Sequence, residues 1–148
     1  MAGRYEHIVC FVDDSEASRL ALGHARRLMG QLGAGRLSIV HVHPPPEYVG
    51  GYSPPEPTTP PEAPAWLEAL ATDAPGAEIR FVDGSNRYPP AEGVGWALEE
   101  GADLIVAGTH RGLYRRLMLG GFAAYLAYHA PCPVTLVPPP IGPDRRTR

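Results

Sequence analysis

The chain contains no lysine: all 13 basic residues among its 148 are arginine. Schiff-base chemistry and a Walker-type phosphate loop are thereby excluded, because both depend on a lysine amine. Cysteine is scarce as well. Cys10 and Cys132 are the only two, each within an apolar run that reads as a strand, where a small buried thiol is the expected state and a disulfide in a reducing compartment is not. No apolar run approaches the roughly 18 residues of a membrane-spanning helix. Met1 to Val12 lacks the basic segment, apolar stretch and small-residue cleavage site of a secretory leader. A cytoplasmic protein without a membrane partner is expected. Positive charge is not in excess either: the formal net charge is −3, so no global field draws nucleic acid to the surface.

What is present is an alternation of short apolar runs with helical patterns. His7 to Val12 is continuously apolar, as a strand covered on both faces should be. Asp13-Asp14-Ser15 supplies oxygens able to cap free amides, and Leu20, Leu22, Ala25, Leu28, Met29 and Leu32 then recur at helical spacing. The glycines at 30, 33 and 35 follow no strand, so they are read as the helix end and not as a dinucleotide fingerprint. Arg36 to Val42 forms a second strand. From Pro44 to Pro64 nine of 21 residues are proline, which removes backbone donors and favours extended polyproline conformation. A helix over 65–72 and a strand over Glu78 to Val82 follow, and Pro89-Pro90 opens a third helix that ends at Gly101. Asp103 to Ala107 makes strand four. A last helix is predicted over Gly120 to His129, stopped by Pro131, with Cys132 to Val137 as strand five.

Strands alternating with helices imply a parallel sheet wound by right-handed crossovers. The expected fold is therefore α/β: a single Rossmann-like three-layer sandwich with five parallel strands in the order 3-2-1-4-5 and four helices. Residues 1–137 form one domain with a proline-rich insert at 44–64, and residues 138–148 read as a flexible tail. Ligands of such sheets gather beyond the carboxyl ends of the strands, where the winding reverses. The loops after strands one and four are the places to look.

Those two loops carry a resemblance. Val12-Asp13-Asp14-Ser15 resembles the opening of universal stress proteins, in which a strand ends in Asp-Gly-Ser before a helix. Gly101 to His110, then Leu117 to Ala123, then Ala130-Pro-Cys-Pro-Val134 resemble that family's fourth strand, phosphate loop, last helix and final strand. The resemblance implies a non-catalytic stress-response or regulatory protein that binds ATP, with Mg2+, or a related adenine nucleotide, and that pairs into a homodimer through its last strand. It implies nucleotide contacts from Asp13, Val42, Gly108, Thr109, His110, Arg111, Gly112, Gly120, Gly121 and Phe122, with no catalytic residue and no protein-bound metal. The ATP-binding branch carries Gly, two residues, Gly, nine residues, then Gly with Ser or Thr, so that backbone amides and a helix N-terminus meet the phosphates. Here the spacing is Gly108, three residues, Gly112, seven residues, Gly120, and Gly121 replaces the hydroxyl residue. Asp14 stands where a glycine is usual, Phe11 is bulkier than its counterpart, and Arg111, Arg115 and Arg116 offer bidentate donors in partial compensation. A non-nucleotide interaction module of the same fold is the alternative, and a small nucleotide hydrolase a more distant one.

Several residues keep two readings. Asp13 is either a nucleotide contact or a helix-capping carboxylate. His41 and His43 share a strand face and would hold a metal only if a third ligand such as His110 joined them; otherwise they are strand-end residues. Ser15, Ser85 and His110 lack the Gly-X-Ser-X-Gly elbow and a placed acid, so no hydrolase triad is assembled. Asp83-Gly84-Ser85-Asn86 reads as a turn, since Gly and Asn tolerate left-handed conformations. Arg111, Arg115 and Arg116 form an anion clamp or a solvated face, and the proline segment a mobile loop, a ligand for an aromatic groove of a partner, or a cover over the nucleotide cleft. Tyr114, Tyr125 and Tyr128 are expected to pack against the last helix's neighbours.

Overall fold

A computed structural model describes residues 5–44, 61–84, 88–109 and 113–140, with residues 113–120 described by their backbone alone. The elements follow in the order β1 (His7–Phe11), α1 (Glu16–Leu32), β2 (Arg36–His43), α2 (Ala65–Asp73), β3 (Glu78–Asp83), α3 (Pro89–Glu99), β4 (Leu104–Gly108), α4 (Leu113–His129) and β5 (Val134–Val137). The strands form one parallel sheet in the order β3-β2-β1-β4-β5. The expected α/β sandwich, its strand order and its four helices are therefore observed.

The five residues of β1 are all buried, which is why that stretch carries no alternation. Ile8 and Cys10 face α1 and α2 with Ala21, Leu22, Ala25, Leu67 and Leu70. Val9 and Phe11 face α3 and α4 with Ala97, Val94, Phe122 and Leu126. Cys10 is inaccessible, and burial pushes its thiol up to about 12, so it is a core residue and not a nucleophile. Helix α1 ends as the glycines predict: Gly33 adopts φ 65°, the left-handed cap, and the Ala34 amide returns to the Met29 carbonyl at 3.1 Å.

The amino end of the sheet is closed by polar side chains. Asp103 accepts from the Glu6 and His7 amides at 2.7 and 3.1 Å. Arg36 grips Glu78 with two 2.9 Å bonds and Glu100 with a third at 3.1 Å, joining β2, β3 and the end of α3. His7 is buried there, its Nδ1 donating to the Glu100 carbonyl at 3.1 Å and its Nε2 lying 2.8 Å from Ser38 Oγ.

Four expectations are corrected. The last helix begins at Leu113, not Gly120, because the Leu-, Met- and Arg-rich run before the glycine pair is itself helix-forming and the pair does not stop it. Strand five begins at Val134, since Pro133 has no amide to donate, although its carbonyl still accepts from Ile105 at 3.0 Å; Cys132 is thus outside the strand and half-buried. Gly84 does serve a tight junction, but by closeness and not by a left-handed φ: a Cβ there would lie 2.8 Å from the His43 carbonyl oxygen. Tyr128 does not pack, being 85% exposed. Tyr125 does, edge-on to Tyr88 at 5.3 Å. Ser85, Asn86 and Tyr114 lie outside the described side chains.

Two substitutions test this packing. Leu126→Ala, at a fully buried position of α4, should cost about 2–5 kcal/mol in chemical denaturation. Gly108→Ala places a methyl 2.6 Å from the Ala17 carbonyl oxygen; it should cost about 1–3 kcal/mol, because rigid backbone must move.

Candidate functional site

Beyond the carboxyl ends of β1, β2 and β4 lies a cleft of about 270 Å³. Its position follows from the topology: the chain winds from β1 out to β3, then crosses back to place β4 on the other side of β1, so the loops after β1 and β4 diverge and leave space between them. The walls are mainly apolar. Phe11 and Val12 come from the end of β1, Val40 and Val42 from β2, Ala107 and Gly108 from β4, and Phe122 and Ala123 from α4. Phe11 and Phe122 meet at 5.3 Å with planes tilted by 60°, and they crowd Gly93, where a Cβ would lie 3.1 Å from the Phe11 ring and 3.2 Å from that of Phe122. The bulk of Phe11 is accommodated on this side.

Asp13 stands at the polar edge. Its Oδ1 accepts from the hydroxyls of Ser15 and Ser18, the latter at 2.8 Å, and its amide donates to Ser18 Oγ at 2.7 Å. Ser15, not Asp13, is the N-cap of α1: its hydroxyl oxygen accepts from the Ser18 amide at 3.2 Å. The two serines thereby hold the carboxylate at the cleft. Asp14 turns away, its carboxylate 3.2 Å from Arg19 with both side chains more than half exposed. Asp14 therefore adds no second carboxylate to the lining of the cleft.

Of the residues named from sequence, Asp13, Val42, Gly108 and Phe122 come together around this cleft. Gly108 is there for space, since β4 runs directly against the first turn of α1. Thr109 follows it, with its amide bonded to the Val137 carbonyl at 3.0 Å. Gly120 and Gly121 lie seven and eight residues into α4, inside its ladder and not at its N-terminus, so their amides are taken by helical bonds. His110, Arg111 and Gly112 lie outside the described residues, as do the side chains of Arg115 and Arg116.

Sequence reasoning left His41 as a strand-end residue, yet its ring lines the cleft beside Asp13. Its Nδ1 donates to the Val12 carbonyl at 2.8 Å, and the ring packs edge-on to Trp66 at 4.8 Å and near-parallel to Phe81 at 6.0 Å. Burial holds its pKa below the usual imidazole value, His43 pushes the same way, and the bond to Val12 and the charge of Asp13 oppose. His43 contacts Phe81 at 5.6 Å. Among the described residues no group of three His, Cys, Asp or Glu side chains gathers to hold a metal. The available signal for His41 was its position, one residue before Val42 at the end of a strand next to β1. Ser18, Pro44 and Pro89 also line the cleft and were not singled out.

Known structures share this architecture. A universal stress protein from Archaeoglobus fulgidus is 24% identical with a TM-score of 0.64, over 90% of this chain and 98% of that one. One from the same organism in complex with dAMP is 22% identical with a TM-score of 0.60, over 91% and 99%. A universal stress protein family protein from Arabidopsis thaliana with AMP bound is 17% identical with a TM-score of 0.62, over 91% and 92%. Among curated proteins no relative matches. The sequence pattern of the universal stress protein family matches residues 4–138, nearly the whole chain, and with the observed strand order and cleft this establishes that the protein belongs to the universal stress protein family.

Proposed function

We propose that the protein is a non-catalytic, cytoplasmic stress-response regulator whose cleft binds an adenine nucleotide. The observation that carries the reading is the convergence of Asp13, Val42, Gly108 and Phe122 on one apolar-walled cleft at the reversal point of a parallel sheet. Flat apolar walls suit a base, and a carboxylate held by Ser15 and Ser18 suits the hydroxyls of a ribose. Related proteins of this fold carry AMP and dAMP. The group would enter with its phosphates toward Gly108 and Thr109. ATP, with Mg2+ shielding its charge, is the larger form the site would take, with Arg111, Arg115 and Arg116 as the available cations.

One observation favours a second reading, an interaction module that has lost its nucleotide. With α4 beginning at Leu113, Gly120 and Gly121 do not offer free amides, and Gly121 brings no hydroxyl. Either form is proposed to pair as a homodimer through β5, an edge strand that leaves Leu136 37% exposed.

Thermal unfolding with AMP, ATP and ATP plus Mg2+ separates the readings, since a ligand that binds only the folded state raises Tm. Saturation at about 100 times Kd should add about 2.7 kcal/mol, a shift on the order of 5–10 °C for a chain of this size. Asp13→Asn should weaken AMP on the order of tenfold by removing a charge-assisted acceptor. No shift at millimolar ligand selects the interaction module. Sedimentation should give twice the chain mass at micromolar concentration; a monomer there removes the β5 pairing.

A further inference from the structure

The cleft has a second polar group whose position is set as firmly as that of Asp13. His41 Nδ1 sits 2.8 Å from the Val12 carbonyl oxygen. A carbonyl oxygen only accepts, so Nδ1 carries the hydrogen, and in the neutral ring Nε2 is left with a lone pair. Nε2 has no hydrogen-bond partner among the described residues, and no buried side-chain nitrogen among them lacks one, so Nε2 is open to solvent. Trp66 and Phe81 hold the ring plane from α2 and β3. The result is an oriented acceptor at the wall of an open cleft.

Its neighbour Asp13 is also an acceptor, and Ser18 Oγ is already committed to both the amide and the carboxylate of Asp13. The described lining residues include no cation and no free side-chain donor. A cleft that presents acceptors on apolar walls selects a flat molecule bearing donors, such as a sugar hydroxyl or an exocyclic amine. At about 270 Å³ it sits just below the roughly 300–1,000 Å³ of small-molecule sites, a space suited to a nucleoside more than to a triphosphate.

We propose that His41 is a specificity-determining residue of this cleft, its Nε2 acting with the Asp13 carboxylate to accept hydrogen bonds from the donor groups of a nucleoside, so that the nucleoside half and not the phosphate carries most of the binding. This rests on the adenine-nucleotide reading and narrows it. The site then responds to adenosine itself as well as to its phosphates. Binding also requires the unprotonated ring: once Nε2 takes a proton it becomes a donor facing a donor. Among the described residues, the charged and titrating groups around the ring are Asp13 from the loop after β1 and His43 from its own strand, while α2 and β3 present Trp66 and Phe81, which do not titrate.

The test is calorimetric titration of the full chain with adenosine, which lacks a phosphate group titrating near pH 6, beside AMP and ATP. Adenosine should bind within about tenfold of AMP. His41→Asn keeps an amide donor for Val12 but has no acceptor at the Nε2 position, and should weaken adenosine about five- to tenfold. His41→Gln, whose amide oxygen reaches that position, should recover part of the loss. Wild-type affinity for adenosine should fall between pH 7.5 and 5, and His41→Asn should flatten that profile. ATP binding without adenosine binding overturns the inference and leaves the nucleotide reading standing; no binding of any adenine compound overturns both. Unchanged adenosine affinity in a folded His41→Asn, or a pH profile that persists in it, also overturns the role of His41. Should His41→Asn fail to fold, the wild-type profile and His41→Gln decide.

Discussion

Because His7 to Phe11 are buried on every side, the chain has to place a strand against each edge of β1 before it can exclude water from the core. β2 takes one edge and β4 the other, and the reversal between them is what opens the cleft. The residues that end these strands are therefore set by core packing before any ligand is considered. Phe11, Val40 and Ala107 belong at once to the core and to the wall of the cleft. That coupling places the Asp13 carboxylate and the His41 ring within a rigid frame, with Ser15, Ser18 and the Val12 carbonyl as local fasteners. Preorganisation of this kind lowers the ordering cost that binding otherwise carries.

The architecture was readable in the chain because its signals are local and redundant: continuous apolar runs for covered strands, Gly33 for a helix end, Pro89-Pro90 for a helix start. Boundaries were readable only where one residue type decides. Pro133 delays β5 through a missing amide, an effect that apolarity alone conceals. The start of α4 was misplaced because a glycine pair is a punctuation signal in short-range reasoning, while a helix already under way passes through it. Of the candidate site, Asp13, Val42, Gly108 and Phe122 were legible through the family resemblance. His41 was not, since the hydrogen bond that orients it is made to a backbone carbonyl 29 residues away. No side-chain pattern announces a partnership with a carbonyl. Gly108 shows the reverse case: the glycine is legible, but the reason for it, the approach of Ala17, appears only in three dimensions.

The departures from the family's phosphate loop and the build of the cleft point in the same direction. A triphosphate cradle needs free amides, a hydroxyl and cations in register. The described part of this site instead offers aromatic and aliphatic walls with two acceptors. Under the proposed reading the nucleoside end would be the more robust half, because its walls are built from residues that the core requires anyway.

The two rims of the sheet differ in chemical character. At one, the Arg36 guanidinium ties two carboxylates that are 22 residues apart in sequence, Glu78 and Glu100, and Asp103 secures the amides that precede β1. At the other, the strands end in a hollow. The ties at the first rim set β2 and β3 side by side without reaching the cleft, so the polar closure of one end and the apolar lining of the other are built from separate residues. Ser18 of α1 and Phe122 and Ala123 of α4 line the hollow, so any molecule seated there touches both faces of the sheet's helical cover at once.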